Sequence, residues 1–587
     1  MPAKRWFAMV LVCAALIAVG IGALNFAVDP FGVFGDRVFD WYSYDMTNNP
    51  KAAKFEYLER RHAEYDAYVL GPSGSSGLNP AVLERYTGLR WYNLFNYGAD
   101  MKYTEALAEY LIENYEVKQL ILCVPIISAG KYDTVPIGVT EYTPMGFGWR
   151  VPFLFADPRY AVDKLVKHGS DGYVQAAHDV FDAESGVYDK SVRDSERIGD
   201  LSEYLERNPA FGDTAVKAVE LTYTDECVAA VRRIKELCSG QGIGLTVVVP
   251  PMYAGASEQY RLEEVAELYG KLAEVTEFWD FSVSAISGDA RFFYDKTHFR
   301  NSVGDMMLAR LFGDEGVYVP EGFGQRVDAA AADSAAARLG TLGGASEAES
   351  CELTVLMYHN IIESGAGDSV NRTVADFRAD MERLRNEGYS VVGLEDVIGY
   401  TERGVDLPEN PVLITFDDGY MSNYTLAYPI LKEFGYRATI FIIGVSFGKD
   451  TYKDSGRAII PHFGEAEARE MVESGLVTIQ SHTYDMHNAE GLDEPCRQGV
   501  LRMEGESERD YIAAFREDFR REGELVRQLS DSGVFAVAYP NGYYDTLSRV
   551  LLYEEGVKLT FTTESGTNTL LKGVPQSMLG LKRIAVQ

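Results

Sequence analysis

The chain has 587 residues, 46% of them hydrophobic, and a formal net charge of −33 at pH 7. That length supplies two or three sizeable cores. The acidic excess argues against nucleic acid and against an anionic membrane patch; it disfavours polyanionic glycans and suits neutral or cationic ones. At the start, Lys4-Arg5 precedes an uncharged run from Trp6 to Val28, interrupted by Asn25 and ended by Asp29-Pro30. The run is long enough to cross a bilayer core. It is longer than the apolar part of a secretory signal and lacks a clear small-residue cleavage site. Basic residues mark its cytoplasmic side. Residues 1–30 therefore read as a short stub and an uncleaved anchor, with a cleaved signal as the alternative, which makes the chain a single-pass protein of the cell membrane with everything after the anchor outside.

Residues 31–318 alternate strands and helices. Asp66-Ala-Tyr-Val-Leu70 predicts a strand leading into Gly71-Pro-Ser73-Gly-Ser-Ser-Gly77. Gln119–Pro125 and Gly242–Pro250 predict buried parallel strands, and Ala218–Cys238 and Ser257–Val275 carry helical spacing. This alternation means an α/β sandwich with a parallel sheet. The stretch 131–215 reads as an insertion in which Trp149, Tyr160 and Tyr173 are either sugar platforms or aromatic core. Phe292-Phe-Tyr-Asp295-Lys-Thr-His298-Phe then precedes an amphipathic helix through Phe312. A serine on a strand-to-helix turn, with Asp-x-x-His near the domain's end, is the order of parts an esterase needs. The histidine removes the serine proton and the aspartate fixes its tautomer. The Asn93–Gly98 segment offers the Gly98 N–H to an oxyanion.

This constellation resembles the SGNH/GDSL hydrolases over residues 60–315, closest to the membrane-anchored branch associated with alginate O-acetylation and teichoic acid D-alanylation. Setting Gly71-Pro72-Ser73 on that family's Gly-Asp-Ser implies Ser73 as nucleophile, ahead of Ser75 and Ser76, with Asp295 and His298 as its partners. Where the family carries an oxyanion asparagine, the chain has Val124-Pro-Ile-Ile-Ser-Ala-Gly130. Hydrolase and transferase share all these residues, so both stay open.

Residues 319–350 are rich in Ala, Gly and Ser and read as a linker with some helical character. Six cysteines are too sparse for a disulfide scaffold. Cys227 and Cys238 lie about 16 Å apart along one helix and cannot pair within it, while Cys351 and Cys496 are left as candidates for pairing.

In residues 351–587, Pro411-Val-Leu-Ile-Thr-Phe reads as a buried strand ending in Asp417-Asp418-Gly419-Tyr420. Two acids at a strand end are costly unless a cation or a proton offsets them. A second apolar run, Gly475–Gln480, leads into Ser481-His482-Thr-Tyr-Asp-Met-His487. Histidines five apart lie about 140° apart on a helix, so a loop carries them better. One aspartate and two histidines, with a position left for water, make a catalytic zinc set.

These two motifs resemble those of the polysaccharide deacetylases, carbohydrate esterase family 4, and their spacing is most similar to the poly-N-acetylglucosamine branch. Tyr539-Pro540-Asn541-Gly542 resembles the third motif. The resemblance implies a distorted (β/α) barrel, a divalent metal (zinc) on Asp418, His482 and His487, Asp417 as general base, Asn541 beside the oxyanion, and a polysaccharide carrying N-acetylhexosamine as substrate. Two departures matter. The third motif lacks its arginine, and the tail, Leu579-Gly-Leu-Lys-Arg583-Ile, lacks the family's Leu-x-His. The strand Leu353–Tyr358 ends in His359, and the first and last strands of a closed barrel are neighbours, so His359 is expected to stand in as the acid. The whole chain then reads as a membrane-anchored enzyme that modifies a polysaccharide outside the cell, with a glycan-binding scaffold as the alternative.

Overall fold

A computed structural model describes residues 3–39, 47–130, 138–168, 181–212, 217–341, 348–453, 455–488, 492–493, 495–530 and 532–586. The chain forms two compact units. One comprises Met1–Lys190, Pro209–Asp314 and Val319–Glu347; the other comprises Ser191–Asn208, Glu315–Tyr318 and Ala348–Gln587.

The first unit opens with helix α1 (Ala3–Val28), the one helix among the described residues long and apolar enough to cross a membrane. Asn25, the polar break in its apolar run, is buried, and its Nδ2 donates to the carbonyls of Leu154 and Ala156 at 3.0 and 2.9 Å. The sheet contains β1 (Ala67–Pro72), β2 (Trp91–Asn96), β3 (Gln119–Cys123), β4 (Gly244–Val249) and β5 (Phe278–Asp280), all parallel in the order β2-β1-β3-β4-β5. Strands β1 and β2 are buried over almost their whole lengths, as a parallel sheet covered on both faces requires. Helices α2 (Thr224–Gln241) and α3 (Leu262–Val275) cover it with apolar stripes. Helix α2 starts six residues later than its spacing predicts, because Leu221 and Tyr223 are held in other bonds, to Glu264 and to the Ala129 carbonyl. A short antiparallel hairpin, β6 (Phe293–Asp295) and β7 (His298–Phe299), precedes α4 (Asn301–Phe312).

Within the linker expected over 319–350, the described residues 325–337 are ordered parts of the first unit. Strand β8 (Gln325–Val327) pairs antiparallel with β5, and α5 (Ala332–Ala337) buries Ala332, Ala335 and Ala336 in the core that contains α3. Alanines that carry little apolar area still let two helices approach closely, and that is how this stretch is held. The insertion is likewise mostly structural: Trp149 packs edge-on to Phe55, and Tyr160 to Phe31, as core aromatics. Tyr173 lies outside the described residues.

The second unit is a curled sheet. Strands β9 (Ser350–Tyr358), β10 (Pro411–Phe416), β11 (Ala438–Ile442), β12 (Val477–Ser481), β13 (Ala536–Ala538) and β14 (Leu559–Phe561) run parallel in chain order. Its two ends are bridged by the C-terminal tail. Leu581 makes a parallel bridge to Phe561, and β15 (Ile584–Ala585) pairs with β9. A 22-residue helix, α6 (Glu508–Leu529), packs beside β12 and presents a buried stripe of Tyr511, Phe515, Asp518, Glu522, Val526 and Leu529. The cysteines do not pair: Cys351 and Cys496 are free thiols.

Candidate functional site

In the second unit the site is built at strand ends. Strand β10 stops at Phe416 because Asp418 and Gly419 take left-handed φ angles of 72° and 84°. A left-handed aspartate is strained, by about 1 kcal/mol or more. The turn separates two successive buried carboxylates, giving each a different partner. Asp417 meets Arg583, whose Nη1 and Nη2 each lie 2.7 Å from one of its oxygens, while Arg583 Nε donates to the Thr562 carbonyl at 2.8 Å. Burial alone would push Asp417 up, but the Arg583 guanidinium, assisted by His482 and His359, holds it well below the usual carboxylate range. His359 follows β9, and its Nε2 lies 3.9 Å from Asp417 Oδ2.

Asp418 faces the histidines. Its Oδ1 lies 3.7 Å from His482 Nε2 and 3.8 Å from His487 Nε2, and the three candidate ligand atoms fall within 4.8 Å of one another. His482 Nδ1 is 2.8 Å from the Ala538 carbonyl, and with its proton there the Nε2 lone pair points to Asp418. Burial pushes His482 down to about 4, which keeps the imidazole neutral. A carboxylate and two imidazoles converging, one of them oriented by a backbone carbonyl, fit a divalent transition ion. The loop carrying both histidines follows Ser481 and turns at Thr483, again left-handed at φ 74°. It is held from α6, since the N–H groups of Tyr484 and Asp485 donate to Asp518 Oδ2 and Oδ1 at 2.9 and 2.6 Å.

Two residues of this site escaped the sequence reading. Arg583 supplies the guanidinium that the third motif lacks, and its trace was the basic pair Lys582-Arg583 in an otherwise uncharged tail. Asp518 left a trace as an acid on the apolar stripe of α6. Asn541 lies in the exposed turn after β13, at φ 56°, and is not part of the buried cluster.

In the first unit, Ser73 opens the turn after β1. Gly71 is required before it, because a Cβ there would lie 2.8 Å from the Cys123 carbonyl oxygen and its φ is 149°. Gly304 of α4 packs equally tightly, its absent Cβ falling 1.9 Å from the Gly77 oxygen. Gly77 in turn packs on the Phe299 ring of β7, where a Cβ would fall 2.4 Å from it, so helix and hairpin both close on the serine turn. Ser73 Oγ lies 2.8 Å from His298 Nε2, and His298 Nδ1 lies 2.9 and 2.8 Å from the two Asp295 oxygens. The backbone N–H groups of Thr297 and His298 also donate to Asp295. Burial opposes ionisation of Asp295, yet the bonds from His298 and Thr297 hold it well below its usual range. Asn93 Nδ2 donates to the Ser75 and Leu78 carbonyls, both at 2.9 Å, and pins the turn from β2. Ser75 and Ser76 are buried, and Ser75 Oγ donates to the Pro72 carbonyl, leaving Ser73 as the serine bonded to the histidine. Gly98, at φ 59°, lines the same cavity as Ser73.

Residues 404–560 match the polysaccharide deacetylase family. YxkH of Bacillus subtilis, which carries the name of a polysaccharide deacetylase, is 30% identical over 235 residues, 40% of this chain and 71% of its own length. The poly-β-1,6-N-acetyl-D-glucosamine N-deacetylase of Escherichia coli is 26% identical over 253 residues; the match spans 40% of this chain and 38% of that relative. The solved structure of IcaB from Ammonifex degensii is 25% identical with a TM-score of 0.33, covering 40% of this chain and 91% of that one. By its match to YxkH over more than two thirds of that protein, this chain belongs to the polysaccharide deacetylase family.

Proposed function

We propose that this protein is a membrane-anchored, extracytoplasmic enzyme that modifies one polysaccharide at two sites, in domains 31–318 and 351–587. The second unit removes N-acetyl groups from an N-acetylglucosamine polymer. The convergence of Asp418, His482 and His487 beside an ionised Asp417 carries this reading. The E. coli and Staphylococcus aureus relatives named as poly-β-1,6-N-acetyl-D-glucosamine N-deacetylases support the substrate class.

Asp418, His482 and His487 would hold a divalent ion, zinc by its donor set, which when bound would supply Lewis acidity to the amide carbonyl and to a nucleophilic water. Asp417 takes the proton from the attacking water, and Arg583 holds its carboxylate in one orientation for that transfer. His359 gives a proton to the departing amine as the C–N bond breaks. The products are acetate and a free amino sugar. The test is acetate release from N-acetylglucosamine oligomers by the full-length chain with zinc. Release should fall about 10² to 10⁴-fold in Asp417→Asn and disappear in His482→Ala; release that survives in His482→Ala would sink the metal assignment.

The first unit has a specific observation of its own, the Ser73–His298–Asp295 chain of hydrogen bonds. We propose serine-based ester chemistry there, hydrolytic or transferring. Ser73 Oγ attacks an ester carbonyl while His298 Nε2 takes the hydroxyl proton, Asp295 stabilises the imidazolium, and the N–H of Gly98 faces the oxyanion. The proton then leaves with the alcohol, and water or a sugar hydroxyl releases the acyl group.

A further inference from the structure

We infer that the Ser73 site takes an acyl group of medium length, roughly four to eight carbons, in place of acetyl; this rests on the serine reading above. Ser73 and His298 open onto a cavity of about 220 Å³. Its lining includes six largely apolar residues, Pro125 and Ile126 after β3, Pro250, Pro251 and Met252 after β4, and Tyr260, beside the polar Ser128, Gln259 and Thr297. Ile126 and Met252 are buried. Three of these six residues are prolines, which have no N–H to donate. Lys296, in the turn between Asp295 and His298, is the one lining residue with a permanent charge.

A sugar ring against this wall would leave hydroxyl groups short of partners, which is unfavourable. An alkyl chain has nothing to satisfy there and gains with every methylene removed from water. Size decides the length. A dry cavity of roughly 150 Å³ holds a six-carbon ring, so an acetyl methyl would leave most of the 220 Å³ unfilled. The acyl carbon bonded to Ser73 Oγ sits at the mouth, and the chain behind it runs along the proline and isoleucine wall. The step balances as before: the ester C–O bond breaks, the serine proton leaves with the alcohol through His298, and one water or hydroxyl later restores Ser73.

The experiment measures kcat/KM of the full-length chain on p-nitrophenyl acetate, butyrate, hexanoate, octanoate and decanoate. The expected profile rises about fourfold per methylene to hexanoate or octanoate and then falls. Ala256→Phe, which narrows the same cavity, should move the maximum to butyrate or acetate while the protein unfolds at an unchanged temperature. A maximum at acetate, or a flat profile, with Ser73 still labelled by a fluorophosphonate, overturns the acyl assignment and leaves the serine reading standing. An unmoved optimum in folded Ala256→Phe overturns it as well. Failure of the probe to label Ser73 in folded protein removes the serine reading and the inference together.

Discussion

The two proposed sites would activate attack on an acyl carbon under contrasting electrostatic conditions. In the deacetylase unit, two consecutive carboxylates are buried at a strand end, and each must be offset. Asp417 is offset by the fully buried Arg583; Asp418 faces the His482 and His487 rings, with the Tyr420 hydroxyl bonded to it, an arrangement that suits a cation between the three ligand atoms. In the serine unit the single carboxylate, Asp295, is partly open to solvent and already accepts bonds from His298 and two backbone N–H groups. It has no uncompensated charge for a metal to answer. On this reading, burial of the acids, more than the identity of the reaction, sets which proposed site would call for an ion.

The largest expected effect separates the two sites outright. Ser73→Ala should lower ester turnover by at least about 10⁴-fold and leave acetate release from N-acetylglucosamine oligomers unchanged. A chelator should do the reverse. Both activities are read on the same full-length preparation, and loss of ester turnover on chelation would break the contrast.

A smaller effect concerns the ion pair behind the general base. Arg583→Lys keeps a charge near Asp417 but loses the two-pronged contact, and deacetylation should drop roughly 10- to 100-fold with metal content unchanged, as read by elemental analysis. Arg583→Met leaves Asp417 buried without a partner and should destabilise the unit by about 3–5 kcal/mol, seen as a lower denaturation midpoint. If Arg583→Lys behaves as wild type, the guanidinium does not orient the base.

Legibility followed sequence distance. Both strand-end motifs, Asp417-Asp418 and His482…His487, are contiguous, so a short apolar run followed by acids or histidines exposed them directly. The pair Asp295–His298 was readable for the same reason, and the serine turn by its glycines. What stayed hidden came from elsewhere in the chain. Arg583 reaches Asp417 across 166 residues only because the tail bridges β14 and β9, a closure that periodicity cannot reveal. Ala332–Ala337 looked like spacer because composition reports how much area a residue carries, not how closely its neighbours approach.

Asp518 offers the finest test of how burial sets each site's needs. Its two oxygens hold consecutive amides of the histidine loop, so Asp518→Ala should weaken zinc binding roughly 10- to 100-fold by titration, without touching a ligand. The same group makes a pH prediction. Burial pushes its carboxyl up to about 6, above the value expected in the unfolded chain. Between those two values the folded protein binds more protons than the unfolded one, so the contribution of Asp518 to stability is complete below about pH 4 and is lost as pH rises through about 6. The loss is roughly 3 kcal/mol on that difference. Glu522, one turn further along α6, is buried and pushed up as well, by its own burial and by the charge of Asp518. Asp518→Asn cannot ionise, so in metal-free protein the stability of wild type relative to Asp518→Asn should fall between pH 4 and pH 7. Denaturant midpoints at the two pH values measure it. A difference that stays constant or rises with pH would mean that the loop amides, rather than burial, set the charge of Asp518, and the deacetylase site would then carry one more ionised acid than its burial allows.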